Sequence, residues 1–90
     1  MDMKYIVYEG YLCQEIVIFP VFRDHRGFAT QLQIREDDAV SAGFVSDDRL
    51  NHIRCYGRST SLDVDSRPKK DTALLRRSLG WNEEDITNVG

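Results

Sequence analysis

Short apolar runs near the start of the chain predict two paired strands. The segments KYIVYE (4–9) and EIVIF (15–19) are rich in β-branched and aromatic residues and are apolar on both faces. Runs of this length and composition are typical of well-buried strands. GYLCQ (10–14) supplies the turn between them. Because proline has no N–H to donate to a sheet, Pro20 is expected to end the second strand.

A short helix is predicted after the second strand. Asp24 belongs to the residue types that favour the N-cap position. Gly27 lowers the stability of this helix by up to about 1 kcal/mol relative to alanine, so its first residue is left open. The side chains that follow Asp24 recur at the i, i+3, i+4 and i+7 spacing of one helix face: His25, Phe28, Ala29 and Leu32.

The middle of the chain predicts a second pair of strands. REDD (35–38) is a charged loop, and AVSAGFVS (39–46) then alternates as a half-buried strand does. Asp47 and Asp48 provide turn chemistry. RLNHIRCYG (49–57) returns as the fourth strand.

The last helix has the clearest pattern in the chain. Pro68 suits a first helical turn, and Gly80 suits the position just after a helix end. Trp81 is expected to fold back onto the helix, and residues 82–90 form an acidic tail that we expect to be frayed. The apolar stripe of the helix consists of Leu74, Leu75, Ser78 and Leu79.

These elements predict a single α+β domain over residues 1–80, followed by the tail at 81–90. The order ββαββα favours a four-stranded, mainly antiparallel sheet with both helices on one face. An error of one residue in the register of a strand would exchange the side chains assigned to the two faces of the sheet. The predicted core is Ile6, Tyr8, Ile16, Ile18, Phe28, Leu32, Val40, Phe44, Ile53, Leu75 and Leu79.

Composition and the start of the chain indicate an intracellular globular protein. The 90 residues are 41% hydrophobic and 30% charged, which is ordinary for a folded domain. MDMKYIVYEG lacks the basic stretch and cleavage site of a secretion signal. No apolar run approaches the ~20 residues that cross a bilayer. We therefore expect a cytoplasmic location without membrane contact, and Cys13 and Cys55 as free thiols.

Few residues carry the pattern of an enzyme or a metal site. The two cysteines and two histidines stand at 13, 25, 52 and 55, without the close pair spacings of structural zinc sites. GRSTS (57–61) lacks the second glycine of a serine nucleophile motif. The charged clusters REDD (35–38) and SDD (46–48) are typical of solvated turns rather than of paired catalytic carboxylates. We expect no catalytic residues, no cofactor and no metal.

Charge is distributed unevenly along the chain. The net charge is −3, but residues 49–80 hold eight basic and three acidic side chains, so this segment is +5 and the remainder is −8. A basic segment of this kind attracts anions. Nucleic acid is not the expected partner, because the whole chain is acidic, with a pI near 5.2, and few aromatic residues interleave with the basic ones.

A candidate anion or partner site lies where CYGRSTSLDVDSRPKK (55–70) enters the last helix. A helix start offers free N–H groups and partial positive charge to an anion. The alternative is a solvated basic connector, and it is favoured by the lack of glycine between Gly57 and the helix, because glycine lets a backbone approach a phosphate. The candidate residues are Arg58, Ser59, Ser61, Ser66, Arg67, Lys69 and Lys70.

The chain contains the segments KYIVYEG (4–10), IFP (18–20), VSAGFV (40–45), CYGRSTSL (55–62) and SRPKKD (66–71). Together these segments resemble a set of short uncharacterised proteins of tailed bacteriophages and prophages. The resemblance covers residues 4–80. Where that set is expected to carry acidic residues after SRP, this chain has Lys69 and Lys70.

The resemblance implies a function class but no residue roles. Small phage accessory proteins without enzyme motifs often bind a host protein stoichiometrically, and counter-defence of the anti-CRISPR kind is one such role. We therefore expect a non-enzymatic protein that binds a bacterial host protein in the host cytoplasm. The alternative is a small nucleotide or phosphate binder, which sequesters a signalling nucleotide at the basic 57–70 stretch. A homodimer is compatible with either function.

Overall fold

Six strands and two helices form in residues 2–47 and 53–80, which the computed structural model describes. The predicted turn at Asp48, the residues 49–52 of the fourth predicted strand, Trp81 and the tail lie outside the described residues. In chain order the elements are β1 (Met3–Glu9), β2 (Gln14–Pro20), α1 (His25–Gln31), a 3-10 turn (Glu36–Asp38), β3 (Ala39–Asp47), β4 (Ile53–Tyr56), β5 (Arg58–Ser59), β6 (Val64–Asp65) and α2 (Pro68–Ser78).

The main sheet has four antiparallel strands in the order β2-β1-β3-β4. Tyr5 in β1 lies opposite Ile18 in β2 and Gly43 in β3, and Val45 in β3 lies opposite Cys55 in β4. The α+β class and the four-stranded antiparallel sheet are therefore confirmed. Because β1 and β3 are central, β2 and β4 are the two edge strands.

The sheet is covered on both faces, because its central strand is buried on both sides. Tyr5, Ile6 and Val7 are consecutive in β1, and all three are fully buried. Successive strand residues point to opposite faces. Tyr5 and Val7 accordingly pack with Leu75 of α2, whereas Ile6 packs with Ala29 of α1. The prediction that both helices share one face is wrong, since strands that are apolar on both faces need cover on each.

The predicted core is confirmed only in part. Of the predicted core residues, three are buried and five are half-buried, although they lie on both faces of the sheet. The buried ones are Ile6, Ile53 and Leu75, and the half-buried ones are Tyr8, Ile16, Phe28, Val40 and Phe44. The prediction is wrong for Ile18, which is 37% exposed, and for Leu32 and Leu79, which are 46% exposed. Leu32 and Leu79 each come just after the last helical residue. Buried hydrophobic residues outside the predicted core list are Tyr5, Val7, Phe19, Ala29, Ala42, Val45 and Cys55.

Both predicted helices are present, and the predicted start and end of α2 are confirmed. Asp24 caps α1, and its side chain accepts a hydrogen bond from Gly27 N at 2.5 Å. Phe28 of α1 stacks on Phe19 of β2 with ring centroids 4.2 Å apart. Pro68 is the first residue of α2, and Gly80 follows the helix with a positive φ of 85°. A positive φ is strained for residues with a side chain, so the glycine stops the helix at little cost.

The connector before α2 is more ordered than the sequence predicts. Arg58–Ser59 and Val64–Asp65 pair as a small hairpin on the α1 face. Its chain leaves β4 by passing close over Gly43, where an added Cβ would lie 2.3 Å from the Tyr56 carbonyl oxygen. Only glycine fits there without a backbone shift. The charged loop REDD likewise contains a 3-10 turn at Glu36–Asp38.

Candidate functional site

A fully buried carboxylate anchors the start of α2. Asp71 accepts hydrogen bonds from the Tyr5 hydroxyl at 2.5 Å and the Ser41 hydroxyl at 2.9 Å. It also accepts one from the backbone N–H of Arg67, the N-cap residue, at 2.8 Å. Burial raises the pKa of the Tyr5 hydroxyl above its usual range, and the hydrogen bond from that hydroxyl to Asp71 raises it further. The helix start, predicted as a place for an external anion, is therefore occupied in part by the chain's own carboxylate.

Arg67 links that anchor to the first residue of β2. Its Nε donates to Asp71 at 3.0 Å, and its terminal nitrogen donates to the Gln14 side-chain oxygen at 3.1 Å. The same guanidinium forms an ion pair with Asp71 at 2.9 Å. Arg67 is therefore held in one orientation by partners on two elements, and its charge is partly balanced by Asp71.

An open groove runs between α2 and β2, with a volume of about 760 Å³. We call it the basic groove, since Arg67, Lys70 and Arg77 all line it and Glu15 is the acidic residue in its wall. Neither Lys70 nor Arg77 forms an ion pair with a described residue. The volume lies in the range of small-ligand sites. The remaining lining residues are Tyr8, Cys13, Gln14, Ile16, Ala73, Leu74 and Ser78.

The structure divides the seven predicted site residues between two faces of the molecule. Arg58 lies in the hairpin on the α1 face, where it pairs with Asp63 at 2.6 Å and Asp65 at 3.6 Å. Ser59 is buried, and its hydroxyl oxygen accepts a hydrogen bond from Leu62 N. These side chains are engaged within the hairpin, so they do not join the basic groove.

The other predicted residues are distributed as follows. Ser61 accepts a hydrogen bond from Arg26 N at the start of α1, and Ser66 is half-buried just before α2. Lys69 lines a separate shallow hollow of about 450 Å³ together with Arg67, Pro68 and Lys70. Only Arg67 and Lys70 of the predicted set line the basic groove.

Sequence reasoning missed Arg77 and Gln14 at the groove. A signal for Arg77 was present, because Lys70, Leu74 and Arg77 follow the i, i+4 and i+7 spacing of one helix face. That side of α2 therefore carries two cations, Lys70 and Arg77, on either side of Leu74. Gln14 gave no comparable signal, since its position depends on the turn that brings β2 back along β1.

The alternation of hydrogen-bonded and non-hydrogen-bonded residue pairs between β1 and β2 shows which backbone groups of β2 point outward. Gly10 N donates to Cys13 O across the turn at 2.9 Å. From that pair, hydrogen-bonded and non-hydrogen-bonded pairs alternate along the two strands. The odd-numbered residues of β2 therefore bond to β1. The even-numbered ones direct N–H and C=O groups away from the sheet: Gln14, Ile16 and Ile18, with Pro20 offering only its C=O.

These outward groups form what we call the open edge. Among residues 2–47 and 53–80, no other element donates to or accepts from the backbone of Gln14, Ile16 or Ile18. Exposed apolar side chains lie at both ends of the strand. Tyr11 is 97% exposed at one end, and Phe22 is 81% exposed at the other. An unpaired strand flanked by exposed apolar residues is a surface on which another chain can dock.

The opposite edge, at β4, is covered by α2. By the same alternation, Ile53 and Cys55 direct their backbone groups outward from β4. Cys55 N donates to the Thr72 hydroxyl at 2.8 Å, and Arg76 donates to the Ile53 carbonyl at 3.3 Å. We call this the closed edge.

Two described groups with reactive chemistry, His25 and Cys55, are buried in structural roles. His25 is buried, and its Nε2 donates to the Gly43 carbonyl at 2.9 Å. Burial lowers the pKa of His25 below its usual value. Burial also raises the pKa of the Cys55 thiol to about 12. Cys13 is exposed, and both cysteines are free thiols as predicted. Within the described residues, no three metal-binding side chains group together.

The chain matches no protein-family model, and no curated protein or solved structure matches it either. The resemblance to bacteriophage proteins therefore stays a prediction. In the described part of the chain, neither helix has the length and apolar character needed to cross a membrane.

Proposed function

We propose that the protein acts by stoichiometric, non-enzymatic binding of another protein, which adds a strand to the open edge. The outward N–H and C=O groups of Gln14, Ile16 and Ile18 are the single observation that carries this function. Strand addition uses such a row of backbone groups for affinity, and it uses pockets for alternate side chains for specificity. The basic groove lies directly beside the row.

The proposed partner is a bacterial host protein. The resemblance to tailed-bacteriophage proteins supports this choice, and it makes counter-defence of the anti-CRISPR kind the proposed outcome of binding. The proposed place of action is the host cytoplasm. Stoichiometric binding needs no catalytic residues, so the open edge and its flanking side chains would suffice for the activity.

A proline at Ile18 tests the proposal directly. Ile18→Pro removes an outward N–H while leaving the bonds between β1 and β2 intact, since Ile18 does not donate to β1. Ile18→Ala is the matched control, because it shortens the same side chain but keeps the N–H. Tagged protein is used to capture partners from bacterial lysate at near-stoichiometric yield. The wild type and Ile18→Ala are expected to retain one common partner that Ile18→Pro loses. Equal recovery by all three chains would refute strand addition.

A small anionic ligand is the second candidate function, and the basic groove supports it. Lys70 and Arg77 form no ion pair among the described residues, and the groove is large enough for a nucleotide. We propose this site in the groove rather than in the hairpin, where Arg58 is already paired with two aspartates. Phosphate oxygens would accept hydrogen bonds from the two free cations.

Thermal denaturation with a panel of nucleotides and inorganic phosphate separates the two functions. A ligand at 100 times its dissociation constant stabilises the folded state by about 2.7 kcal/mol. If it binds in the groove, Lys70→Ala combined with Arg77→Ala removes the shift and Arg58→Ala does not. A nucleotide shift that survives the groove variants would refute this site, and no shift at low salt would leave protein binding as the supported function.

A further inference from the structure

We infer that the partner segment is an extended strand with acidic side chains at alternate positions, and that these side chains enter the basic groove. This inference rests on the proposed addition of a strand to the open edge. It assigns the chemical class of the partner, which the backbone groups of the edge do not determine by themselves.

The geometry of β2 decides which partner side chains face the groove. Gln14, Ile16 and Ile18 direct their backbone groups outward, and their side chains lie on the α2 face of the sheet, as shown by their pairing with the α2-facing residues Tyr5 and Val7. Residues directly opposite each other on paired strands have side chains on the same face. Every second side chain of an added strand therefore lies on the α2 face, next to the groove.

Charge on that face selects acidic side chains. Lys70 and Arg77 carry their charges into the groove without a described ion-pair partner, and Arg67 is held there by Asp71 and Gln14. Partner carboxylates would replace water around these cations and supply a countercharge that no described residue provides. Complementary charge of this kind raises specificity and the rate of association.

The other face of β2 explains why acidic residues are expected only at every second position. Val17 and Phe19 pack on the α1 face. Strand alternation places the Glu15 side chain on that face too, and Glu15 also lines the rim of the basic groove. Glu15 is exposed and would repel a partner carboxylate on the α1 face. Partner residues on this face are expected to be apolar, because they would cover the half-buried Val17.

A second copy of this chain fits the edge less well. If two β2 strands paired side by side, the joined sheet would carry α2 from both copies on one face. Lys70 and Arg77 of each copy would then approach the same two cations of the other copy, and like charges repel. The edge residues that would face them, Gln14, Ile16 and Ile18, supply no carboxylate.

Three fluorescein-labelled ten-residue peptides test the inference by fluorescence anisotropy with the full chain. One alternates glutamate and valine, one alternates lysine and valine, and one has the first composition with all glutamates placed before the valines. The alternating acidic peptide is expected to bind at least about tenfold more tightly than either of the others. Its affinity is expected to fall as salt is raised from about 50 to 500 mM.

Variants of the chain identify the groups responsible. Lys70→Ala combined with Arg77→Ala is expected to lower the affinity for the alternating acidic peptide about tenfold. Lys69→Ala is the matched control, because it removes a neighbouring lysine outside the basic groove, and it is expected to change affinity less than about twofold. Ile18→Pro is expected to abolish binding, whereas Ile18→Ala, which keeps the outward N–H, is expected to weaken binding much less. Circular dichroism checks that each variant remains folded.

Several results would overturn the inference. It is wrong if no peptide binds, if all three bind equally, or if the groove variants bind the acidic peptide as well as the wild type. It is also wrong if sedimentation velocity shows a dimer that Ile18→Pro dissociates, because a second copy then occupies the edge. If Ile18→Pro loses the captured partner and the groove variants retain it, the partner segment is not acidic. Strand addition to the open edge would still be supported.

Discussion

Both edge strands direct backbone N–H and C=O groups out of the sheet, but within the described residues α2 bonds to those of β4 and not to those of β2. At β4, Thr72 and Arg76 of α2 bond to the outward backbone groups. At β2, the outward groups of Ile16 and Ile18 bond to no described element, and the groove lies between Ile16 and the same helix. An edge strand is therefore closed by particular side chains that reach its backbone, and a nearby helix is not sufficient.

The position of α2 follows from its anchor. Asp71 ties the helix start to Tyr5 and Ser41 on the two central strands, and Leu75 packs into the core below it. From that line the helix presents Thr72 toward β4 and Lys70 toward β2. One helix therefore covers one edge with hydrogen bonds and faces the other with charge.

The largest contrast between the edges is expected in thiol reactivity. Cys13 precedes β2 and is exposed, whereas Cys55 lies buried in β4 with its pKa raised to about 12. Because the thiolate is the reactive form, an alkylating reagent at pH 7.5 should modify Cys13 on the order of a thousandfold faster. Mass spectrometry of the time course measures both rates. Similar rates in the folded protein would show that the β4 edge opens readily.

Loss of the helix anchor should have the next largest effect. Asp71→Ala removes a buried carboxylate and leaves the Tyr5 and Ser41 hydroxyls and the Arg67 charge without their partner. The free energy of unfolding is expected to fall by about 3 kcal/mol. Asp37→Ala, at an exposed position in the 3-10 turn, is the control and should change it by less than about 0.5 kcal/mol. Urea denaturation measures both, and equal losses would contradict the role of the anchor.

Two neighbouring prolines test the assigned direction of the backbone groups of β2. Val17→Pro removes an N–H that bonds to β1 and should cost about 2 kcal/mol more than Ile18→Pro, which removes an outward N–H. The comparison is internal, since both substitutions restrict the same strand. If chemical denaturation shows Ile18→Pro to be the more harmful change, the assignment of inward and outward groups is reversed.

A smaller effect is expected at the closed edge itself. Thr72→Val keeps the shape of the side chain but removes the hydroxyl that accepts from Cys55 N. Unfolding free energy should fall by about 1 kcal/mol, and amide exchange at Cys55 should accelerate. Thr60→Val, an exposed position between β5 and β6, supplies the control. An unchanged exchange rate at Cys55 would mean that the hydroxyl does not protect the edge.

Local chemistry in the sequence was sufficient to predict the two helices but not the candidate site. The Asp24 cap, Pro68 and Gly80 act within a few residues of themselves, so the two helices were predictable. Arg58 and Lys70, which the sequence placed in one site, lie on opposite faces, because the β5–β6 hairpin folds onto α1 while α2 folds onto the other side. The pairing of Arg58 with nearby aspartates follows from the hairpin turn, which the pattern did not predict.

Periodicity, capping and proline geometry are local properties of the chain, so the α+β class, the antiparallel sheet and the start and end of α2 could be predicted from the sequence. The face that each helix covers, and the edge to which α2 does not bond, depend on the tertiary structure. Those outcomes depend on contacts between distant residues, such as Tyr5 with Asp71 and Cys55 with Thr72. Polar side chains of this kind look like ordinary surface residues in a sequence, and only folding brings them to the buried partners that determine where the helix lies.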